Sequence, residues 1–375
     1  MRITFDNKVL REAVSKVFTG ISTRAPLPSL SGILIEAKEG GEVIFTSTDL
    51  EIGIITHCQA EVEEAGRGVI PGKVIYSLSK SLREKEVSLV FYPDFTIEIE
   101  SGKTYLKISG FSPEDFPTFP PFPTDVYSYL KGDELKIALS QVRLSLSKDE
   151  TRHSLTGVLF HFHKDRLNLV STDGSRLGFC PITIVEGNIP PDSRYIVPEK
   201  VVSELVRAIP ETSTVRFSPG RGEVLFEVGD LSIFSRVIEG DFPDYESVIL
   251  EDFTTLVKFN RRELLECLER VTLASLDEDK MVNIFFRKNS LEVVCQSSEL
   301  GVGREEITVE TEGEEEETAF NGGYLIDALR VSRWERGNLG LGGKKAPAKI
   351  FGEGDAYQSI LMPFEEEEEE EEEGS

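Results

Sequence analysis

The amino-acid sequence predicts an α+β protein made of three copies of one domain, each an antiparallel sheet with two helices. Four landmarks recur in the same order, at an offset of about 125 residues, along the 375-residue chain. Between them lie short β-branched segments separated by Gly and acidic turns, which is typical of strands. A chain of this length is expected to form two or three domains, and the repetition selects three.

The first landmark predicts one amphipathic helix in each repeat. Leu, a small residue and two further apolar residues follow the i, i+3, i+4, i+7 spacing that places them on one helical face. The pattern occupies residues 10–17, 135–142 and 264–271. A second helix is predicted to begin at residues 71–73, 198–200 and 321–323, where Pro or Gly opens the periodic segment.

The second landmark is an apolar strand that ends in a small polar residue and an acid. It stands at residues 45–49 and 169–173, and more loosely at 294–299. Asp49 and Asp173 hold equivalent places in it. Paired carboxylates can act as acid and base, but their equivalence favours a turn at a strand end.

Proline marks the predicted boundaries, because each repeat closes at a Pro: Pro117, Pro243 and Pro363. The segment 116–124 is rich in Pro, which blocks helix continuation and ladder donation, so we expect an extended connector there. The acidic segment 310–317 is expected to be an exposed loop, and nine consecutive Glu at 365–373 are expected to be disordered by self-repulsion. The predicted domains are 1–124, 125–250 and 251–364, followed by a disordered acidic tail at 365–375.

The net charge of −26 hides an asymmetry. The candidate helices and their flanks hold 21 Lys and Arg against 14 Asp and Glu, whereas the remainder holds 20 against 53. Total charge alone argues against nucleic acid, because phosphate attracts Lys and Arg, but basic helices on an acidic scaffold argue for it. Ordinary solvated amphipathic helices are the alternative. The segments counted are 8–24, 73–86, 131–152, 199–207, 260–270 and 327–336.

Motifs of catalysis and of metal binding are missing from the sequence. It contains no G-x-x-x-x-G-K-[ST], no G-x-S-x-G and no H-E-x-x-H segment. The four Cys form no C-x-x-C pair, so we expect buried reduced thiols. His161 and His163 share a strand face without an apparent third ligand, and we expect exposed positions and no metal. No catalytic residue, cofactor, signal peptide or membrane span is predicted, and a cytoplasmic location is expected.

The three repeats and several short segments together resemble the bacterial DNA polymerase III β subunit, the family of replicative sliding clamps. The resemblance covers residues 1–364 and rests on segments 24–28, 47–51, 172–177, 241–245 and 357–363, which read RAPLP, STDLE, TDGSRL, DFPDY and YQSILMP. It implies a head-to-tail homodimer whose six domains form a closed ring around duplex DNA, with helices lining the hole. It also implies several partners: the polymerase III catalytic subunit, the clamp loader, and other polymerases and repair proteins that carry a clamp-binding peptide.

The resemblance implies contacts to phosphate that carry no sequence information. They are expected from basic residues on the loop after the first helix, at the starts of second helices, and on the loop after the long helix of repeat two. The residues are Arg24, Lys73, Lys148, Arg152, His153 and Lys200. The family often has aromatic residues where this chain has His153 and Ser154. This departure from the family pattern argues against a stacking role at these two positions.

The resemblance also implies a peptide groove between the second and third domains. Apolar anchors of partner tails would lose water there, and Met adapts to varied partners. Core packing of a C-terminal strand is the alternative. Ser175 replaces a larger ring common in the family, and the nine-Glu tail has no family counterpart. The matching residues are Leu155, Thr172, Gly174, Ser175, Arg176, Leu177, Pro243, Val248, Ile360, Leu361, Met362, Pro363 and Phe364.

A ring seam is predicted where two strand edges stand open, because unpaired edges in one protein invite joining. One edge lies near residues 103–108 and the other near 305–309; strands interior to their own sheets are the alternative. The family resemblance adds to this predicted interface two Leu at the end of the third-repeat helix. The predicted interface residues are Lys103, Leu106, Ile108, Leu273, Leu276, Glu305 and Ile307.

A DNA sliding clamp, or processivity factor, without catalysis of its own is the leading hypothesis. A DNA-free peptide-docking scaffold is the alternative, which the charge of −26 favours. A hydrolase that uses paired carboxylates ranks far below both.

Overall fold

The computed structural model describes residues 1–22, 27–117, 119, 122, 125–277, 279–343 and 345–364. Six α-helices lie in these ranges, at the positions that the two helix landmarks predict. They are α1 (Asn7–Val17), α2 (Gly72–Ser81), α3 (Gly132–Val142), α4 (Glu199–Ala208), α5 (Arg261–Val271) and α6 (Gly322–Val331). No helix in the described part of the chain has the length and apolar character needed to cross a membrane.

The strands alternate with these helices in each repeat. In chain order they are β1 (Arg2–Asp6), β2 (Gly32–Ala37), β3 (Glu42–Thr48), β4 (Ile52–Gln59), β5 (Glu61–Glu64), β6 (Gly66–Pro71), β7 (Glu86–Phe91), β8 (Thr96–Ser101), β9 (Thr104–Ser109), β10 (Ser128–Lys131), β11 (Gly157–Phe162), β12 (Arg166–Thr172), β13 (Arg176–Gly187), β14 (Arg194–Pro198), β15 (Thr214–Pro219), β16 (Glu223–Val228), β17 (Leu231–Arg236), β18 (Thr255–Asn260), β19 (Met281–Arg287), β20 (Ser290–Ser297), β21 (Gly301–Thr308), β22 (Glu310–Gly313), β23 (Glu316–Asn321), β24 (Arg336–Leu341), β25 (Ala348–Gly352) and β26 (Asp355–Leu361).

The chain folds into two compact units. The first comprises Met1–Asp133, Ile184–Ile189 and Ser203–Val237; the second comprises Glu134–Thr183, Pro190–Val202 and the chain from Ile238 onward. Each unit therefore joins one complete repeat to part of the middle repeat.

The first unit contains two antiparallel sheets. The smaller has the strand order β5-β1-β7-β8-β9. The larger runs from the end of β13 through β10, β15, β16 and β17 to β4, β3, β2 and β6. Strand β17 of the middle repeat pairs directly with β4 of the first repeat, so one sheet crosses from repeat to repeat.

The second unit repeats this arrangement. Its larger sheet has the order β14-β11-β12-β13-β26-β25-β24-β18-β22. Its smaller sheet has the order β21-β20-β19-β23. Here β13 of the middle repeat pairs with β26 of the third repeat, which again makes one sheet of two repeats.

Polar helix contacts accompany each shared sheet. In the first unit, the buried carboxylate of Glu204 on α4 pairs with Arg207 and accepts a 2.7 Å hydrogen bond from Thr19, just beyond α1. In the second unit, buried Gln141 on α3 donates to the Val331 carbonyl at 3.1 Å and to Asp355 at 2.7 Å. Buried polar groups must be paired, so these contacts fix the fit between repeats.

The strand-end landmark has a direct structural explanation. Ser47 donates a 2.5 Å hydrogen bond to the carbonyl of Val17 at the end of α1, and Ser171 donates in the same way to Val142 at the end of α3. A helix leaves its last carbonyls without partners in the helix, and these hydroxyls supply one. The recurring Ser therefore ties α1 and α3 to the sheets beneath them.

The acid of the same landmark forms a turn, as predicted. Oδ1 of Asp49 accepts from the backbone N–H groups of Glu51 and Ile52 at 3.0 and 2.9 Å. Oδ1 of Asp173 does the same for the two equivalent residues, both at 3.0 Å. The paired-carboxylate interpretation is therefore unnecessary for these residues.

Two sequence predictions are wrong in this structure. Residues 310–317 are not a loop, because β22 and β23 lie there and β22 pairs with β18. His161 is not exposed but 1% accessible, inside β11. The Cys prediction holds for three thiols, since Cys180, Cys267 and Cys295 are buried, whereas Cys58 is partly exposed.

Removing one recurring hydroxyl tests the helix tie. We expect Ser171→Ala to lower the free energy of unfolding by about 1–2 kcal/mol, because a buried carbonyl loses its donor. Chemical denaturation monitored by circular dichroism measures this. Ser175→Ala, an exposed neighbour, should change stability by less than about 0.5 kcal/mol, and equal effects of the two variants would refute the tie.

Candidate functional site

The strongest candidate site lies in the second unit, where β13 and β26 pair. Register places Arg176 opposite Leu361 and Leu177 opposite Ile360. The turn before β13 is tight: Thr172 Oγ1 donates to the Arg176 carbonyl at 2.7 Å and accepts from Gly174 N–H at 3.0 Å. Gly174 has φ 95°, a left-handed conformation that favours glycine.

A second constraint acts on Gly174. A Cβ there would stand 2.6 Å from the guanidinium of Arg152, so the loop after α3 closes over this turn. Arg152, which was predicted as a DNA contact, lies beside the groove residues; its contact with DNA stays a prediction.

Arg176 is held rigidly at one end of the site. Its Nε donates to Asp173 and its Nη1 to Asp327, both at 3.0 Å, and its guanidinium lies 4.0 Å from the ring centroid of Tyr324. Its side chain is only 12% exposed. A planar guanidinium fixed on three sides is a preorganised polar edge for a ligand.

A cavity of about 150 Å³ opens beside this turn. Nine of the thirteen predicted groove residues line it, together with Arg152, Asp244 and Tyr245, which the groove prediction did not contain. Its floor is a buried apolar cluster that includes Leu177 and Ile360. The nine are Leu155, Thr172, Gly174, Arg176, Leu177, Pro243, Val248, Ile360 and Met362.

Four predicted groove residues do not line the cavity. Leu361 is 2% exposed and belongs to the core of the third repeat, because strand alternation turns it away from Ile360. Ser175, Pro363 and Phe364 lie outside it, although the Ser175 carbonyl accepts a 2.9 Å hydrogen bond from Met362 N–H. The side chains of Met362 and Phe364 are exposed at the rim.

Tyr245 forms one wall of the cavity. Its ring stacks on Phe179 with centroids 6.0 Å apart, and its hydroxyl lies 2.7 Å from His161 Nδ1 and 3.0 Å from Asn168 Nδ2. Burial raises the pKa of Tyr245 to about 12, so the phenol stays protonated. Burial also lowers the pKa of the neighbouring His163.

The first unit has an equivalent cavity that the sequence interpretation missed. It measures about 170 Å³ and lies where β4 pairs with β17, beside the turn of Asp49. Phe119 and Phe122 of the Pro-rich segment line it, with their rings 5.4 and 5.8 Å from that of Phe234. The sequence contains a signal for this equivalence, because an aromatic residue stands two positions after the closing Pro in both repeats: Phe119 after Pro117 and Tyr245 after Pro243.

The predicted DNA contacts occupy several exposed positions. Lys73 lies in the first turn of α2 and Lys200 in that of α4, while Lys148 and His153 lie on the loop after α3. All four are exposed. Arg24 lies outside the described residues, so the structure is silent on that prediction.

The predicted seam residues lie at terminal strands of the two smaller sheets. Lys103, Leu106 and Ile108 are on or beside β9, the last strand of the first unit's sheet. Strand β21 holds Glu305 and Ile307 and ends the second unit's sheet.

The side chains at the β21 edge have different environments. Leu273 and Leu276 are 76% and 70% exposed, and the 3₁₀ turn Thr272–Ala274 packs against β21. Glu305 is ion-paired with Arg270, and this pairing lowers its pKa. Ile307 lies in the core of its own repeat, so its side chain points away from the edge.

Three protein-family models match the chain in succession. The N-terminal, central and C-terminal domains of the DNA polymerase III beta subunit match residues 1–120, 129–244 and 246–365. A relative from Staphylococcus epidermidis named beta sliding clamp is 30% identical over 342 residues, which are 88% of this chain and 90% of that protein.

Solved structures agree with these matches. The crystal structure of the DNA polymerase sliding clamp from Bacillus subtilis is 26% identical, with a TM-score of 0.92 over 98% of this chain and 99% of that one. The sliding clamp from Bartonella birtlesii bound to griselimycin is 27% identical, with a TM-score of 0.91 over 98% and 100% of the two chains. With three consecutive domain models spanning nearly all of its length, the chain belongs to the DNA polymerase III beta subunit family.

Proposed function

We propose that this chain, a DNA sliding clamp by family, closes with a second copy into a ring around duplex DNA and binds partner peptides in the β13–β26 cavity. The domains of the ring are residues 1–124, 125–250 and 251–364. The cavity carries this proposal, since it combines an apolar floor, an exposed Met at the rim and a fixed guanidinium. The clamp itself performs no catalysis, and it acts in replication in the cytoplasm.

The chemistry of the cavity suits a short apolar peptide segment. Leu177 and Ile360 are buried at its floor, whereas Met362 is 42% exposed and becomes covered when a ligand binds. Burial of a side chain of this size is worth about 1.5–3 kcal/mol. Arg152 and Arg176 supply donors for backbone carbonyls or a carboxylate of the peptide. The polymerase III catalytic subunit, the clamp loader and repair proteins are the partners that the family suggests.

Contacts to DNA in this proposal come from Lys73, Lys148 and Lys200, which are exposed on helix starts and a loop. Contacts of Lys with phosphate position a protein without reading sequence. Closure around the duplex, rather than a tight grip, keeps the clamp on DNA. A DNA-free docking scaffold remains the second candidate, favoured by the charge of −26.

The ring seam in this proposal joins β9 of one copy to β21 of the next. Both are terminal strands whose outer backbone groups are available for pairing. Leu273 and Leu276 are exposed beside β21 and supply the apolar contact with Leu106 and Ile108. Ile307 contributes only its backbone.

The groove is tested with griselimycin, the ligand of the Bartonella birtlesii clamp. We expect Met362→Asp to weaken griselimycin binding about ten- to a hundred-fold in calorimetry, because a charge replaces an apolar contact. Leu50→Asp is the matched control: Leu50 is 46% exposed at the equivalent cavity of the first unit, against 42% for Met362. If only Leu50→Asp weakened griselimycin binding, the groove would lie at the cavity of the first unit instead.

Charge reversal tests the DNA contacts. We expect Lys73→Glu with Lys148→Glu to reduce retention on nicked circular DNA loaded by the clamp loader, and to flatten the salt dependence by about one unit of slope for each Lys. Gel filtration of the loaded plasmid measures both quantities. Lys164→Glu with Lys288→Glu changes the charge equally at two exposed strand turns and should have no effect; equal retention of both double variants would reject the contacts.

A charged residue at the seam should separate the copies. We expect Leu273→Asp to be monomeric at micromolar concentration in light scattering, where the unchanged chain is a dimer, because a carboxylate would be buried without a partner. Val185→Asp, at another exposed apolar residue (55% accessible), should stay dimeric. A dimeric Leu273→Asp variant would contradict the seam.

A further inference from the structure

A cluster of metal-ligating side chains lies in the second unit, behind the groove wall. His161, His163 and Glu246 each offer one ligand atom, and the three atoms lie within 4.8 Å of one another. The two imidazole centroids are 4.3 Å apart. The sequence alone suggested two His without a third ligand; folding brings Glu246 to them from 83 residues away along the chain.

The hydrogen bonds of His161 prepare one ring nitrogen for a metal. Its Nε2 donates to Asp192 Oδ1 at 2.8 Å, which fixes the ring and leaves the lone pair on Nδ1. A carboxylate that holds the far nitrogen in this way is the usual outer partner of a metal-bound His. The Nδ1 atom faces the Tyr245 hydroxyl at 2.7 Å, and that hydroxyl lies 3.2 Å from Glu246 Oε1.

Asn168 provides an independent observation at the same place. It is 2% exposed, and its Nδ2 lies 3.0 Å from His163 Nε2 and 3.0 Å from the Tyr245 hydroxyl. Its Oδ1 is buried without a hydrogen-bond partner among the described residues. An amide turned by half a rotation would direct this oxygen at the cluster, where a cation or its bound water satisfies it.

The surrounding charges allow a divalent cation. Arg194 stands nearby, but it pairs with Asp192 at 3.2 Å. Arg166 also lies close enough to affect His163. The carboxylates of Asp192 and Glu246 equal these two guanidinium groups in number.

We propose that His161, His163 and Glu246 form a zinc site, whose fourth position faces the phenol of Tyr245. Two imidazoles and one carboxylate are a ligand set that zinc accepts, whereas magnesium and calcium bind carboxylate oxygens but avoid imidazole nitrogens. Atoms around four-coordinate zinc stand roughly 3.3 Å apart for bonds of about 2.0–2.1 Å. Small rotations of His163 and of the exposed Glu246 bring the three atoms to that spacing.

The site bears on the groove, a consequence that rests on the proposed function. Glu246 follows Tyr245 and precedes Val248, and both of these line the cavity. Zinc bound to Glu246 ties this wall segment to β11. A wall fixed before a peptide arrives loses less conformational freedom on binding, so zinc tightens peptide binding.

The test uses the full-length chain, stripped with a chelator and titrated with zinc chloride by calorimetry, with cobalt as a spectroscopic probe. We expect one zinc per chain and the visible absorption of four-coordinate cobalt. Loss of the orienting carboxylate in Asp192→Asn should weaken zinc binding on the order of 10- to 100-fold, and loss of a ligand in His163→Gln or Glu246→Gln should weaken it by at least as much. All variants keep the nine-Glu tail, so nonspecific binding to it is constant.

Matched controls are His153→Gln and Glu251→Gln, which are exposed and do not belong to the cluster; both should bind zinc as the unchanged chain does. Circular dichroism verifies folding, and neither His163 nor Glu246 is buried. Unchanged zinc affinity in both His163→Gln and Glu246→Gln would overturn the site.

A separate arm measures griselimycin affinity with zinc and with chelator. Zinc should tighten binding several-fold in the unchanged chain and have no effect in Glu246→Gln. Zinc binding without this change would overturn the coupling to the groove. Absence of griselimycin binding under both conditions would count against the proposed groove, while the zinc titration alone still decides the metal site.

Discussion

The need to pair strand edges governs this molecule. An edge strand exposes a row of backbone donors and acceptors, and it is stable in a protein only when paired, covered or kept solvated. Edge strands of neighbouring repeats pair with each other at two places in the chain: β4 with β17 in the first unit and β13 with β26 in the second. Both shared sheets follow the same Thr-Asp turn and the same Pro-marked segment, so each pairing leaves a cavity in an equivalent place. The candidate groove is therefore a product of how repeats join, and its specificity depends on which side chains line it.

The two cavities differ in how their aromatic wall is held. The Phe119 ring stacks on that of Phe234, and the Phe122 ring meets Phe234 edge to face. Tyr245 has a hydroxyl that reaches the His161 imidazole, and this polar anchor draws the ring into the sheet. A buried hydroxyl requires partners, and here the partners are His161, Asn168 and Glu246. One difference between the two cavities, Phe in the first unit and Tyr in the second, thus connects the wall of the groove to the cluster that we propose as a zinc site.

Local sequence patterns predicted those parts of the structure that local physics decides. The helices begin and end as their periodicity indicates, and the turns of Asp49 and Asp173 form within three residues. Wrong or incomplete predictions concern long-range contacts. The Glu-rich segment 310–317 has the composition of a loop, yet β22 is stabilised by pairing with β18 and by Lys258, 2.7 Å from Glu312. His161 is buried because Tyr245, distant in sequence, covers it, and a single sequence shows no such pairing.

The number of basic residues in the helical segments does not by itself say how many of their charges lack a partner in the folded chain. The basic excess of the helical segments is partly neutralised by carboxylates in the folded chain: Arg262 pairs with Glu266, Arg270 with Glu305 and Arg330 with Glu269. Exposed ion pairs of this kind contribute at most about 1 kcal/mol each. A phosphate that approaches such an Arg therefore competes with a weak partner, and the Arg returns to its carboxylate when the phosphate leaves. In the proposed ring, contacts that exchange at so small a free-energy difference would attract the duplex without fixing its position, as movement along DNA requires.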